Sequence, residues 1–556
     1  MEELVLLGDE AVALGSLHAG LSAAYGYPGT PSTEIMEYLI AAREKAAREG
    51  CSTALVASWC ANEKTAYEAA LGMSFAGKRV IVTMKHVGLN VAADPFVNSA
   101  LLAIKGGLVL AVADDPSMHS SQDEQDSRFY ADYAGVPCLE PRNQAEAYAM
   151  AIEAFDLSER LALPVMIRLT TRLAHARAVV RVGPGRPMNP LAKSADSPGW
   201  ILLPAYARKR YELLCNKQLD VAKYVESCGF NETIAGPKST VVITAGLGGN
   251  YYDENLSDYA KASKDGAPAH LHIGAYPAPV EAIRRLCEGA GRLIVIEEGQ
   301  PFLEKKLRGI LEQKLPIGGK LDGLLPLQGE LNPDNVRAAL GLPARKSAAP
   351  ASIPLPARPP QLCQGCPHGD SYQAIKNAIA GLESVSVNAD IGCYALGALP
   401  PFSVPETLVC MGASISMAGG AADAGIKYPI GVIGDSTFLH SGIGPLIDAV
   451  SARKPITAVI LDNSIVAMTG CQETILPSER LRAIVLGVGV ESEHVIEIES
   501  TKMRLAENVA AIRREIEYRG PSVIIAKREC LEAIRLRKKK DRQTQGSAAL
   551  PKGGAA

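Results

Sequence analysis

Seven short runs of aliphatic and β-branched residues recur along the chain: Val80-Ile81-Val82-Thr83, Leu108-Val109-Leu110-Ala111-Val112, Val241-Val242-Ile243-Thr244, Leu293-Ile294-Val295-Ile296, Ile430-Gly431-Val432-Ile433, Ile456-Thr457-Ala458-Val459-Ile460-Leu461 and Val523-Ile524-Ile525. Each is apolar on both faces, so each must be covered from both sides. Such runs, alternating with helical stretches or glycine-rich turns, predict parallel sheets layered between helices, an α/β fold. At 556 residues the chain exceeds what one hydrophobic core organises, and about three domains are expected. Segments 181–203 and 343–360 are rich in Pro, Gly and small residues and read as linkers. The tail from about Arg535, basic and then Gly-, Ser- and Ala-rich, reads as mobile.

Charge narrows the function classes. A net charge of −3 argues against a general nucleic-acid binder. No apolar run reaches the roughly 18 residues of a membrane span, and the N-terminus carries Glu2, Glu3, Asp9 and Glu10 rather than a basic signal segment. The expectation is a cytoplasmic protein without a membrane partner. Twelve cysteines spread over this length point to reduced thiols or a metal centre before a disulfide framework.

Ile433-Gly434-Asp435-Ser436 places an aspartate at the end of an apolar run, beside a glycine that would let a diphosphate approach the backbone. After a helical stretch from Gly444 to Arg453, a second run ends in Leu461-Asp462-Asn463-Ser464-Ile465, with Asn463 28 residues after Asp435. Ligands of parallel α/β sheets bind at this strand edge. Asp435, Asn463 and the carbonyl of Ile465 could hold one Mg²⁺, a hard cation that takes a few protein oxygens and completes its shell with phosphate and water. Either motif alone reads as a turn. Together they resemble the thiamine-diphosphate signature, which opens with Gly-Asp-Gly and closes near Asn-Asn, with Ser436 and Asp462 as departures that spare the ligands.

Further segments extend the resemblance. Leu362-Cys363-Gln364-Gly365-Cys366-Pro367-His368, Asp390-Ile391-Gly392-Cys393-Tyr394, Cys410-Met411-Gly412-Ala413-Ser414, Tyr27-Pro28-Gly29-Thr30-Pro31-Ser32, Asn62-Glu63-Lys64, the Thr83–Asn90 and His119–Arg128 stretches and Gly329-Glu330-Leu331-Asn332-Pro333 are similar to the indolepyruvate:ferredoxin oxidoreductase alpha subunit. The resemblance covers roughly residues 1 to 532. It implies a pyrimidine-binding domain at 1–190, a connecting segment at 191–235, a transketolase-C-terminal-like α/β domain at 236–342, a Pro-rich linker at 343–360, a diphosphate- and Mg²⁺-binding domain at 361–535 and a flexible basic tail at 536–556.

The same resemblance implies residue roles. Glu63 would contact the pyrimidine, where a carboxylic acid favours the tautomer that activates the cofactor; the plainer reading is a helix residue pairing with Lys64 or Tyr67. Thr30 looks like a threonine that helps hold the 2-oxoacid, or else a turn cap. Arg128 could grip the substrate carboxylate in a bidentate fork, or form an ordinary surface ion pair with Asp126. His86 and His119 sit in matching loops and read equally as structural histidines. Gly412, Gly434 and Ser436 fall in the cofactor-binding segments.

Cys363 and Cys366 form a Cys-x-x-Cys pair, which alone could be half a zinc site, a redox dithiol or neither. The related oxidoreductases bind a proximal [4Fe-4S] cluster through such a pair, a third cysteine some way on and a fourth late in the domain; Cys393 and Cys530 match those places. Cys60, Cys410 and Cys471 read as small core residues. The usual alpha subunit continues into a ferredoxin-like domain, whereas this sequence ends in a cysteine-free basic tail, so onward electron transfer would use another polypeptide. The implied activity is oxidative decarboxylation of a 2-oxoacid, an arylpyruvate, with coenzyme A as co-substrate, thiamine diphosphate and Mg²⁺ as cofactors, and a smaller beta subunit and ferredoxin or another electron carrier as partners in a hetero-oligomer. A non-oxidative thiamine decarboxylase or synthase and a catalytically silent scaffold or electron-transfer subunit are the rivals.

Overall fold

The computed structural model describes residues 2–50, 55–311, 314–345 and 361–548, with side chains to 539. Most of the expected 343–360 linker, and the end of the tail from 549, lie outside the described residues. The chain divides into two compact units, 1–350 and 351–556. All seven apolar runs are strands of parallel sheets.

In the first unit, seven strands lie in the order Ala275–Tyr276, Cys138–Leu139, Val165–Thr170, Leu108–Asp114, Val80–Lys85, Ala23–Gly26 and Val56–Trp59. All neighbours are parallel except the first pair. Successive residues of a strand point to opposite faces. Val80, Val82 and Met84 therefore enter one buried cluster and Ile81 the other, which is why the run is apolar throughout. Four adjacent parallel strands end along one edge and carry Thr30, Glu63, His86 and the Asp115–Asp123 loop just beyond it.

A second sheet of five strands, in the order Ile317–Gly318, Leu293–Ile296, Val241–Ala245, Ala269–Ile273 and Asn231–Ile234, occupies the stretch expected to be a separate domain. It is part of the first unit. Directly after its strand Ala269–Ile273 the chain enters the first sheet as Ala275–Tyr276, antiparallel to Cys138–Leu139. The 181–203 segment, read as a linker, is pinned along the first domain: Arg186 N donates to His18 O at 2.8 Å, Ala192 N to Ala76 O at 3.0 Å and Ser194 N to Phe75 O at 2.8 Å. The connecting segment 191–235 contains a 24-residue helix, Pro204–Ser227, with proline in its first turn, where a missing N–H leaves no bond unmade.

The second unit is built on an all-parallel sheet in the order Thr407–Leu408, Val385–Ala389, Tyr428–Gly434, Thr457–Asp462, Ser522–Lys527 and Val495–Glu499, with a two-stranded antiparallel ribbon, Ile465–Val466 and Gln472–Glu473, beside it in sequence. Helices cover both faces. Ile430 and Val432 pack with Tyr372 and Ile375, and Ile433 packs with Phe438 and Leu446. The basic segment that follows belongs to a helix, Leu531–Ala548, over the first part of the expected mobile tail. Its Lys, Arg, Leu and Gln residues are good helix formers, and Arg537 pairs with Glu529 at 2.6 Å.

Candidate functional site

Four neighbouring strands of the second unit end at one edge of its sheet, so Asp390, Asp435, Asn463 and Cys530 leave the sheet side by side. Gly434 and Leu461 are in register, and Asp435 and Asp462 follow them directly. The Asp435 carboxylate accepts from the N–H of Ser436 at 2.8 Å and of Ser464 at 2.8 Å. Burial, and then the Asp462 carboxylate, push the Asp435 carboxyl up to about 7. Asp462 accepts the Ser478 hydroxyl at 2.6 Å on one oxygen, while its other oxygen is buried without a hydrogen-bond partner. Two buried carboxyl groups with one unmet oxygen form a donor set that fits a divalent cation.

Asn463 is oriented by His368, which follows the Cys363–Cys366 pair and had no expected role. Burial pushes the His368 imidazole down to about 4, so the ring is neutral and its Nε2 accepts from Asn463 Nδ2 at 3.2 Å. The Asn463 side-chain oxygen accepts from Ile465 N at 3.2 Å, at the start of the two-residue strand Ile465–Val466. Packing also holds position 434 to glycine: a Cβ there would come within 2.7 Å of Cε1 of Tyr394. The Tyr394 hydroxyl donates to Thr437 Oγ1 at 3.2 Å. Gly412 precedes helix Ala413–Asp423, whose first turn is held by Asp390 accepting from Ser414 N and Oγ at 2.7 and 2.6 Å. Beyond Asp435 the chain makes a π-helical turn, Phe438–Gly442, a deformation that frequently accompanies functional sites.

Cys363 and Cys366 lie at the start of helix Pro367–Ile379, Cys393 follows Asp390, and Cys530 follows strand Ser522–Lys527. Burial pushes the Cys393 thiol up to about 12, with Cys366, Cys530, Cys363 and Cys471 adding to the effect. Burial likewise raises Cys366, with Cys363 and Cys530 contributing. The four thiols thus share one neighbourhood. Among the described residues no three His, Cys, Asp or Glu side chains close around a single ion.

Cys471 corrects the sequence reading. It is half-buried, in a turn between Ile465–Val466 and Gln472–Glu473, beside Cys530 and Cys363, not in a core. Cys410, also expected in a core, is exposed, and Cys60 is half-buried. Cys530 N donates to the carbonyl of Asn463 at 3.3 Å, which ties the thiol neighbourhood to the Asp435–Asn463 pair.

In the first unit, Glu63 opens helix Glu63–Phe75, behind an Asn62 cap that accepts from Thr65 N at 2.9 Å. Its side chain is buried, while Lys64 pairs with Glu68 at 2.7 Å and the Tyr67 hydroxyl meets Ser99 Oγ at 2.8 Å. A Cβ on Gly88 would lie 2.5 Å from Glu63 Oε1, so position 88 must be glycine for this carboxylate to keep its place. His86 is buried, with Nε2 3.3 Å from Asp123 Oδ1 and Nδ1 lacking a partner, whereas His119 is exposed beside Glu330. Thr30 lies in the neighbouring loop, where its carbonyl accepts from Ser120 Oγ at 3.3 Å.

Arg128 does not fit the role of substrate ligand. It is 1% exposed, and its guanidinium donates to Asp126 at 2.9 and 2.5 Å, to the Tyr276 hydroxyl at 3.1 Å and to the carbonyls of Glu298 and Gln300 at 2.9 and 3.1 Å, with Glu297 at 3.1 Å. Burial would raise the Asp126 carboxyl, yet Arg128 and Arg168 hold it down at about 2. Arg168 in turn donates to Asp114 at 2.6 Å and to Glu140. Arg128 pairs with Asp126, as the plainer reading has it, but with both side chains fully buried and not at the surface.

Comparison with known proteins agrees with this layout. Residues 14–205 match the family "Pyruvate flavodoxin/ferredoxin oxidoreductase, thiamine diP-bdg", and residues 390–526 match "Thiamine pyrophosphate enzyme, C-terminal TPP binding domain". The chain is 37% identical over 564 residues to the indolepyruvate oxidoreductase subunit IorA of Archaeoglobus fulgidus, covering 95% of this chain and 86% of that protein. It is 34% identical to the IorA subunit of Thermococcus kodakarensis, with the same coverage. A solved 2-oxoglutarate:ferredoxin oxidoreductase from Magnetococcus marinus, with 2-oxoglutarate, coenzyme A and succinyl-CoA bound, shares the fold at a TM-score of 0.50 and 17% identity, over 61% of this chain and 65% of that one. Among the described residues no helix is long and apolar enough to cross a membrane.

Proposed function

The chain belongs to the IorA family of indolepyruvate oxidoreductase subunits, thiamine-diphosphate-dependent oxidoreductases, and on that premise we propose that it catalyses the coenzyme A-dependent oxidative decarboxylation of an arylpyruvate to an acyl-CoA and CO₂. The observation that carries the redox half of this reading is the hydrogen bond from Cys530 N to the Asn463 carbonyl. It joins a thiol neighbourhood suited to electron transfer to a site suited to a divalent cation and a diphosphate.

Asp435, Asn463 and the Ile465 carbonyl would hold Mg²⁺ and through it the diphosphate, with His368 fixing the Asn463 amide. Glu63 would hydrogen-bond the pyrimidine from its buried place at the start of helix Glu63–Phe75. Cys363, Cys366, Cys393 and Cys530 would ligate one [4Fe-4S] cluster. When bound, thiamine diphosphate supplies a carbon nucleophile and an electron sink for loss of CO₂. A smaller beta subunit, and ferredoxin or another electron-carrier subunit, would complete a hetero-oligomer.

The test is anaerobic purification with co-purifying partners, quantification of iron and sulfide, and reduction of a viologen dye by phenylpyruvate with coenzyme A, thiamine diphosphate and Mg²⁺. Iron and sulfide together with arylpyruvate- and coenzyme A-dependent dye reduction are expected. Protein that carries no iron after reconstitution and releases CO₂ without an acceptor would be a non-oxidative thiamine decarboxylase instead.

A further inference from the structure

Removing Arg128 from the substrate leaves the question of which cation meets the carboxylate of a 2-oxoacid. Lys85 ends the central strand Val80–Lys85, between the Thr30 loop on one neighbouring strand and the Asp115–Asp123 loop on the other. Its aliphatic stem crosses Gly29 so closely that a Cβ there would lie 3.1 Å from both Cγ and Cδ. Its ammonium donates to the Ser120 carbonyl at 3.1 Å, and the Ser120 hydroxyl reaches the Thr30 carbonyl at 3.3 Å, so the two loops meet beside it.

The charged groups facing the ammonium are Asp115, Asp123 and Glu63. Asp115 already accepts from Ser120 N, Ser121 Oγ and Thr171 Oγ1 at 2.8, 2.6 and 2.7 Å. Asp123 is engaged by His86 at 3.3 Å and by Gln125 Nε2 at 2.6 Å. Neither acid makes an ion-pair contact with Lys85 among the described residues. An ammonium carries three donors, and this one uses a single backbone partner, in a half-buried place with Glu63 near.

We propose that Lys85 binds the carboxylate of the 2-oxoacid, with the Thr30 loop beside it. This rests on the reading of the chain as a 2-oxoacid oxidoreductase. A single ammonium suits the reaction better than a fork. The carboxylate is the group that departs as CO₂, so a grip that stabilised the bound acid too well would deepen the ground state without helping the transition state.

Lys85→Met, in the holoenzyme with its partners, tests the assignment by comparing phenylpyruvate with phenylacetaldehyde, which has the same carbonyl side but no carboxylate. Loss of a charge-assisted hydrogen bond should lower the ratio of kcat/KM for the acid to that for the aldehyde by about 10- to 100-fold, mainly through KM. Lys85→Arg, which keeps the charge, should recover most of that ratio. Burial pushes the Lys85 ammonium down to about 8 against the opposing pull of Asp115, Asp123 and Glu63. In the wild type, KM for phenylpyruvate should therefore rise as pH passes that value and the charge is lost, and this rise should be absent in Lys85→Met.

A second readout needs no turnover. Trinitrophenylation of Lys85, followed by mass spectrometry of the wild-type holoenzyme, should be slowed by phenylpyruvate. An unchanged acid-to-aldehyde ratio in a Lys85→Met protein with wild-type thermal unfolding would overturn the proposal, as would labelling that phenylpyruvate does not slow. Wild-type enzyme that oxidises no 2-oxoacid while phenylpyruvate still protects Lys85 would overturn the proposed reaction and leave the binding assignment standing.

Discussion

Arg128→Met separates the two readings of that arginine. Methionine keeps much of the volume but removes a cation that donates to Asp126, to the Tyr276 hydroxyl and to two peptide carbonyls, and that faces Glu297. Arg168 still stands 3.6 Å from Asp126, so part of the compensation survives. Breaking a buried pair by deleting one partner destabilises by about 3–5 kcal/mol. For a unit spanning 1–350, with an unfolding entropy of about 2.1 cal/mol/K per residue, that corresponds to a fall of about 4–7 °C in Tm, measured by near-ultraviolet circular dichroism at pH 7. The pH dependence has a definite sign. Asp126 is held at about 2 in the folded protein, below the ordinary value of about 3.9. Its contribution is therefore fully present above about pH 4 and lost as pH falls through about 2. The gap in Tm between wild type and variant should narrow as pH drops below 4. Where the variant remains folded, KM for phenylpyruvate should match the wild type. A variant that melts with the wild type but shows a many-fold higher KM would refute this reasoning and return Arg128 to the substrate.

Asp435→Asn should weaken thiamine diphosphate binding in Mg²⁺ by about 100-fold in calorimetry, and unchanged affinity would remove Asp435 from the cation site. Glu63→Gln should lower kcat by about 10²- to 10⁴-fold and slow exchange of the thiazolium C2 proton in NMR by a similar factor; wild-type exchange would exclude the pyrimidine contact. Cys393→Ser should lose iron and visible absorption, whereas Cys471→Ser should keep both. Iron loss in the second variant with retention in Cys530→Ser would exchange those two residues in the ligand set.

The strands legible in the sequence were those with two apolar faces. Val165–Thr170 escaped because Arg168 interrupts it, and Ala269–Ile273 because His270 and His272 do. Both are buried interior strands whose polar residues find partners elsewhere: Arg168 in Asp114 and Glu140, and one ring nitrogen of each histidine in Thr244 Oγ1, at 2.8 and 3.0 Å, while His270 Nδ1 and His272 Nε2 stay buried without a partner. A local pattern cannot register partners that arrive from distant positions. The same limit hid Lys85, whose place depends on Gly29 and Ser120, and Cys471, whose neighbours Cys363 and Cys530 are far off in sequence. Asp435 and Asn463 were legible because each directly follows an apolar strand, so two local signals located one edge. Arg128 misled for the opposite reason. Its neighbour Asp126 was visible, but the distant carbonyls of Glu298 and Gln300 that complete its enclosure were not.

The short strand Ala275–Tyr276 has a consequence for how the first unit can come apart. Because it inserts a piece of the second sheet's chain into the edge of the first, and because the Tyr276 hydroxyl there accepts from Arg128 and donates to Glu140 at 2.5 Å, the two sheets share a seam that is stitched rather than stacked. A protease cut in the intervening 181–203 segment would yield fragments that stay mated, each lacking an edge the other supplies. Gene fragments ending near residue 190 would leave Cys138–Leu139 paired only with Val165–Thr170, its outer edge bare, and Arg128 without the part of its cage that Tyr276, Glu297, Glu298 and Gln300 supply, an orphaned border that invites self-association.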